Sequence, residues 1–162
     1  MKVLAIDPGY ERLGIAVLEK KEGATKEVLL HSECFKTLSK EAHPVRLAQI
    51  QKRIEEVLKK YEPDDLSIET LFFNKNVKTA LYVAEARGTI IATSKNFGLD
   101  IFEYSPQQIK SSVTGDGGSD KNAVIKMIPL LIKLENEVKI DDEFDAIAAG
   151  ICHISSKKIM SY

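Results

Sequence analysis

The chain has 162 residues and a mass of 18.0 kDa, which at roughly 150 residues per domain predicts one domain over 1–162. It is 44% hydrophobic and 29% charged, with 9 Gly and 5 Pro, which excludes collagen-like, disordered and low-complexity classes. With 23 basic against 24 acidic residues the net charge is −1, so any nucleic-acid contact has to be a local patch.

Val3-Leu4-Ala5-Ile6 is an apolar run broken at once by Asp7-Pro8-Gly9. It falls short of a signal-peptide core, and no run anywhere reaches the ~20 residues of a membrane span. It reads as a buried strand entering a turn, in a chain with no membrane partner. Leu13 to Leu18 predicts a second strand and Val28 to Lys36 a third, separated by the polar turn Lys20-Lys21-Glu22-Gly23. The three form an antiparallel meander. Val45, Leu47, Ile50, Ile54, Val57, Leu58 and Tyr61 then recur at spacings of three and four, which predicts a helix with Pro44 in its first turn. Glu62-Pro63-Asp64 stops it. Leu66-Ser67-Ile68-Glu69 is a short strand that needs a crossover to lie parallel to the first.

A second helix is predicted from Val77 to Phe97, ended by Asn96-Phe97-Gly98. In it Ala80, Ala84 and Gly88 make a groove of small residues able to take another helix closely. Ile101 to Tyr104 is a fifth strand, and three helices close the chain: Pro106 to Ser112, Lys121 to Ile132, and Asp142 to about Lys157. This order predicts an α/β domain with a mixed five-stranded sheet flanked by helices. Cys34 and Cys152 stand far apart with no Cys-x-x-Cys, and read as buried free thiols of a protein in a reducing cytoplasm.

Acids fall at element ends. Asp7 ends the first strand, Glu69 the fourth, and Asp142 and Asp145 open the last helix, where a spacing of three puts them on one face. Parallel neighbouring strands bring Asp7 and Glu69 to the same carboxyl edge, where α/β sheets place ligands. Each acid also has a structural reading. Asp7 suits an Asx-turn, Glu69 a surface strand end, Asp142 a helix N-cap, and Asp145 a first-turn acid. Jointly those readings weaken, because an acid ending the apolar Leu66-Ser67-Ile68 run has no structural need to be Glu. Four gathered carboxylates repel unless cations neutralise them, and oxygen-only ligands suit Mg²⁺ or Mn²⁺ rather than zinc. Two such ions about 4 Å apart can activate a water and stabilise the leaving oxygen of a phosphodiester.

Phe72-Phe73 follows Glu69 closely and precedes the polar Asn74-Lys75-Asn76. Aromatic rings beside basic residues suit stacking on unpaired bases, although Phe73 also reads as core. Between residues 71 and 127 there are seven basic residues, Lys78, Lys110 and Lys121 among them, against five acidic ones. His31 and His43 carry no signal, and His153, two turns beyond Asp145, reads as structural.

Asp7-Pro8-Gly9 with Gly14, then Ile68-Glu69, Phe72, Asn74-Lys75-Asn76, Ala86-Arg87-Gly88, Lys110, Lys121 and Asp142-Glu143-Phe144-Asp145-Ala146-Ile147-Ala148 occur in this order. Together they resemble the RuvC family of bacterial Holliday-junction resolvases. The resemblance implies an RNase H-like fold, a homodimer, and Mg²⁺-dependent cutting of two symmetric strands in a four-way DNA junction. It implies Asp7, Glu69, Asp142 and Asp145 as the acids that hold two Mg²⁺ ions, with Mn²⁺ as a substitute. It further implies Phe72 at the opened bases, and Lys110 and Lys121 on the phosphate side of the cut, Lys121 stabilising the developing charge. A branch-migration motor complex is admitted as a further partner. The turn Gly115-Asp116-Gly117-Gly118-Ser119-Asp120 carries two acids, and Ala123 stands where the family usually has Gln. Asp141 lies beside Asp142 at a position suited to capping the last helix, which leaves the third acid open between them. An ATP-binding domain of the actin and sugar-kinase type also ends its first strand in Asp-x-Gly, but needs a much longer, duplicated chain.

Overall fold

The structure, a computed structural model, describes residues 1–71, 77–134, 138, 140 and 141–160. Eleven elements follow in the order β1 (Lys2–Asp7), β2 (Arg12–Glu19), β3 (Glu27–Lys36), α1 (His43–Tyr61), β4 (Asp65–Glu69), α2 (Val77–Asn96), β5 (Asp100–Tyr104), α3 (Pro106–Thr114), α4 (Lys121–Leu131), β6 (Ile132–Leu134) and α5 (Asp141–Met160). The sheet has six strands in the order β5-β4-β1-β2-β3-β6, one more than the sequence predicts. The β1–β2–β3 meander is antiparallel, whereas β4 joins β1, β5 joins β4 and β6 joins β3 in parallel. The sixth strand begins where the predicted helix Lys121 to Ile132 ends. Ile132 to Leu134 leave α4 directly and pair with Glu27 to Leu29, and three apolar-rich residues on the end of a helix carry no period of their own.

Alternation along β1 sorts the core into two layers. Val3 and Ala5 face one side with Ala16, Leu18, Ile128, Ile147 and Ile151, while Leu4 and Ile6 face the other with Ile50, Ile54, Leu66, Ile68 and Ile90. The first layer is roofed by α3, α4 and α5, the second by α1 and α2. Val45, assigned to the buried face of α1 by its spacing, is instead 47% exposed, because it sits in the first turn beyond the sheet. α1 ends where Glu62 takes a left-handed conformation, its N–H donating to the Leu58 carbonyl at 2.9 Å.

α5 lies very close to the sheet. A Cβ on Gly14 would stand 2.1 Å from the Asp142 carbonyl oxygen and 3.1 Å from Asp7 Cβ, and one on Gly150 2.5 Å from a Leu18 methyl. Gly14 is the cross-strand partner of Asp7, so the backbone that carries Asp142 rests directly on the strand pair that carries Asp7. Small residues here set the distance between helix and sheet. Gly14→Ala should therefore push the start of α5 outward and cost about 1–3 kcal/mol, the range for overpacking. Thermal unfolding checks this: a melting temperature equal to that of the unaltered chain contradicts the contact.

Candidate metal-binding nuclease site

Asp7 and Glu69 leave adjacent parallel strands at the same edge, one residue beyond the Ile6–Ile68 pair. Both side chains are on the α5 face, by the alternation that puts Ser67 and Ala5 there. Asp7, Glu69 and Asp145 line one cleft of about 260 Å³ with Lys110 of α3 and Lys121 of α4, on a floor that includes Ile109 and Val124. Clefts of about 840 and 890 Å³ flank the β2–β3 turn and share none of these residues. Size does not locate this site. Convergence of charge does.

The electrostatics follow from that convergence. Burial, then the charges of Glu69, Asp145 and Asp142, push the Asp7 carboxyl up to about 7 against the opposing pull of Lys121. Burial and Asp145 likewise raise Glu69, with Lys110 opposing. Asp142 shifts the other way: burial works to raise it, but hydrogen bonds from Arg12 and Cys34 and the Arg12 charge hold it below the usual carboxylate range. Arg12 donates to Asp142 Oδ2 through Nε at 3.0 Å and through its terminal nitrogen, and Cys34 Sγ lies 3.6 Å from the same oxygen. Lys121 Nζ is 2.8 Å from Asp145 Oδ2 and 3.5 Å from Asp141 Oδ2. Burial lowers the Lys121 ammonium, but its bond to Asp145 outweighs this and leaves it above its ordinary value.

Several neighbours hold the frame. Arg87 donates from Nε to the Glu69 carbonyl at 3.1 Å and pairs with Glu103, which ties α2 to the end of β4 and gives the Ala86-Arg87-Gly88 stretch a role. Ser32 donates to Glu143 at 2.6 Å and anchors the start of α5 on β3. The two acids of the glycine-rich turn have local duties. Asp116 accepts the Gly118 N–H at 2.9 Å, and Asp120 caps α4 by accepting the Ala123 N–H at 2.8 Å. That cap places Lys121 as the first helical residue, facing Asp145.

Asp141 does not cap α5. It is already the first residue of the helix, the Ile140 carbonyl accepts the Glu143 N–H at 3.0 Å, and the Asp141 side chain is 64% exposed. Asp141 is also absent from the charges acting on Asp7, where Asp142 is present. Cys34 is partly exposed rather than buried, because β3 leaves the site side of its face open, whereas Cys152 is buried; both are free thiols. Phe72, Phe73, Asn74 and Lys75 lie outside the described residues, and so does the side chain of Lys78. Arg12 was not singled out from the sequence. Its partner is 130 residues away, and a cation opening a strand gives no local sign of such a pairing.

Among the described residues no three Asp, Glu, His or Cys side chains already close around a common metal position. Asp142 is turned to Arg12 and Asp145 to Lys121. The donor set nevertheless fits a hard divalent cation. It is oxygen-only, and the repulsion that lifts Asp7 to about 7 marks a place short of positive charge.

A mixed sheet with the β1–β2–β3 meander, two parallel strands added beside β1, and acids at the ends of β1 and β4 beneath a terminal helix defines an RNase H-like α/β domain. The family model described as crossover junction endodeoxyribonuclease RuvC matches residues 3–153. Curated relatives with that description include one from Finegoldia magna, 40% identical over 98% of this chain and 95% of its own length. Another, from Caldicellulosiruptor saccharolyticus, is 40% identical over 100% and 97%. Among solved structures, Thermus thermophilus RuvC in complex with a Holliday junction substrate superposes with a TM-score of 0.91 at 31% identity, covering 98% of this chain and 96% of that one. The chain belongs to the RuvC family of crossover junction endodeoxyribonucleases.

The raised Asp7 carboxyl has a consequence for stability. It keeps its proton in the folded state up to about pH 7 but loses it near pH 4 when unfolded, so its contribution is fully present below pH 4 and is lost as pH rises through 7. Asn mimics the protonated carboxyl. In the absence of divalent metal, Asp7→Asn should raise the melting temperature by roughly 3–6 °C at pH 8 and leave it unchanged at pH 4. Calorimetry at the two pH values checks this; equal effects at both contradict the buried repulsion.

Proposed function

We propose that this chain is a structure-selective endonuclease that resolves four-way DNA junctions, using divalent ions held by Asp7, Glu69, Asp142 and Asp145. The observation that carries the reading is the meeting of Asp7, Glu69 and Asp145 with Lys110 and Lys121 in one small cleft, in a chain whose family is named for crossover junction cleavage. The ions, when bound, supply an activated water and neutralise charge on the phosphodiester and its leaving oxygen. The chain's own groups do the rest. Asp7 and Glu69 present carboxylate oxygens from the rigid sheet edge, and Asp142 and Asp145 present theirs from the helix above. Lys121, fixed by the Asp120 cap, stands where its ammonium can pass from Asp145 to a phosphate oxygen as charge develops there. Lys110 on the neighbouring helix supplies a second cation for the backbone.

A junction offers two equivalent phosphodiesters, so a two-fold homodimer is the natural reader. Support comes from α2, where Leu81 is 57% exposed and a Cβ on Gly88 would meet nothing within 4 Å, so that the small-residue stripe is open for a second copy. Phe72, Phe73, Asn74 and Lys75, between the Glu69 strand end and this helix in the chain, and Lys78 in its first turn, are assigned to the opened bases and flanking phosphates. A single nuclease domain over 1–162, Mg²⁺ as the metal, two ions per site, a cytoplasmic location and a branch-migration motor as partner complete the proposal. Among the described residues no helix is long and apolar enough to cross a membrane.

Incubation with a mobile four-way junction, with and without Mg²⁺, tests the reading through the mapped cut positions. Paired, symmetric, Mg²⁺-dependent cuts are expected; cleavage of linear duplex at the same rate contradicts it. Asp7→Asn, Glu69→Gln, Asp142→Asn and Asp145→Asn should each abolish cutting while junction binding persists, because binding rests on the lysines and aromatics. Asp141→Ala, which removes an exposed carboxylate and a surface ion pair with Lys121 of little energetic weight, should keep both cutting and stability. Were the Asp141 and Asp142 outcomes exchanged, Asp141 would be the ligand. Binding affinity should fall steeply with salt despite the net charge of −1, and a flat response in a salt titration would refute a phosphate-reading face.

A further inference from the structure

Two buried contacts and one half-buried charge interaction line up between β4 and α5. His153 Nε2 lies 3.1 Å from Asp65 Oδ2, Ser67 Oγ donates to the Ala149 carbonyl at 2.8 Å, and the next step of both series is Glu69 opposite Asp145, whose charge acts on it. The strand positions advance by two, 65, 67 and 69, while the helix positions recede by four, 153, 149 and 145. Two strand residues span about 6.6 Å and four helical residues about 6.0 Å, so the two periods match and the rungs stay in step. Asp65 is 2% exposed, and Ser67 and His153 are fully buried.

Each polar group in this ladder is satisfied. Lys157, one further helical step along, donates to Asp65 Oδ2 at 2.6 Å and balances its charge. The Tyr104 hydroxyl is 2.9 Å from His153 Nδ1, so the ring donates from Nε2 to Asp65 and accepts from Tyr104 at Nδ1. Tyr104 is itself the cross-strand partner of Glu69. The network thus reaches the acid site from two directions.

Stability alone does not call for these residues. A buried ion pair is often no more stabilising than apolar side chains of the same volume, and β1 covers its part of α5 with Val3 and Ala5. Where α5 lies closest to the sheet its contacts are small: Ala146, Ala148, Ala149 and Gly150 fix its height, while Ile147, Ile151 and Ile154 pack into the layer beneath. Apolar packing of this kind is non-directional, and directional hydrogen bonds add a fixed axial register to it. A slip of one helical turn is about 5.4 Å, which would carry Asp145 out of the cleft.

We propose that Asp65, Ser67 and His153 are positioning residues that set the axial register of α5 over β4, and through it the placing of Asp145 and Asp142 against Glu69 and Asp7. The proposal rests on the reading of those acids as metal ligands. The ladder begins at the opposite end of β4 from the acids, and Asp65, Ser67 and His153 do not line the acid cleft.

Mn²⁺ titration of the DNA-free chain, followed by calorimetry, reads the register without cleavage. His153→Leu removes the Asp65 donor and the Tyr104 acceptor, whereas His153→Gln keeps an amide that can donate to Asp65. Ile54→Val, in the layer on the other face of the sheet, is the control for a general loss of stability. His153→Leu should weaken Mn²⁺ binding roughly tenfold or more, the scale seen for groups that orient metal ligands, with His153→Gln recovering most of it and Ile54→Val changing nothing. Ser67→Ala, a smaller change that keeps the fold, should weaken binding in the same direction. Unchanged affinity in His153→Leu and Ser67→Ala, where Asp145→Asn abolishes it, overturns the ladder's role and spares the ligand reading. An equal loss in Ile54→Val also overturns it. Absence of Mn²⁺ binding by the unaltered chain overturns the ligand reading and the proposal together.

Discussion

Carboxylates of like sign, partly withdrawn from water at one sheet edge, repel one another, and the fold holds them together all the same. Asp7 bears most of that cost. Asp142 has Arg12 and Asp145 has Lys121, but the charges nearest Asp7 are chiefly those of the other acids, and its carboxyl rises to about 7. The packing of the rest of the molecule offsets that repulsion. The site becomes favourable when positive charge enters.

The framework has a distance and a register, set by different residues. Distance comes from glycine and alanine: Gly14 lets the Asp142 backbone rest on the Asp7 strand pair, and Gly150 lets α5 settle onto Leu18 and Ala5. Register comes from directional bonds, at Ser32–Glu143 near the site and at Ser67–Ala149 and Asp65–His153 farther along. Two helices on the same face then deliver cations. Asp120 caps α4 so that Lys121 opens it beside Asp145, and α3, begun by the capping box of Ser105 and Gln108, brings Lys110 to the cleft.

Most of this was legible in the sequence where the signal is local. The strands, the long helices, and Asp7 and Glu69 at one edge follow from period, punctuation and the need for a parallel crossover. β6 was not legible, since three residues leaving a helix have no period, and its identity as a strand depends on β3 more than 100 positions away in the chain. Arg12 and the Asp65–His153 pair were invisible for the same reason, their partners being 130 and 88 residues distant. Asp141 shows a second kind of limit. A cap position and a first helical position differ by one residue, and only the backbone bond from Glu143 to Ile140 separates them. The aromatic and basic stretch from Phe72 to Lys75 rests on its sequence and on the resemblance.

The account's central claim is that buried mutual repulsion at Asp7 is what a divalent cation relieves. If so, metal binding must expel the proton that Asp7 retains. Calorimetric titration of the DNA-free chain with Mn²⁺ at pH 7, repeated in buffers of different ionisation enthalpy, measures that proton directly. Release of about half a proton per chain at pH 7, falling toward zero at pH 9, is the predicted result for a ligand titrating near 7. Mn²⁺ binding with no proton release at pH 7 would contradict it.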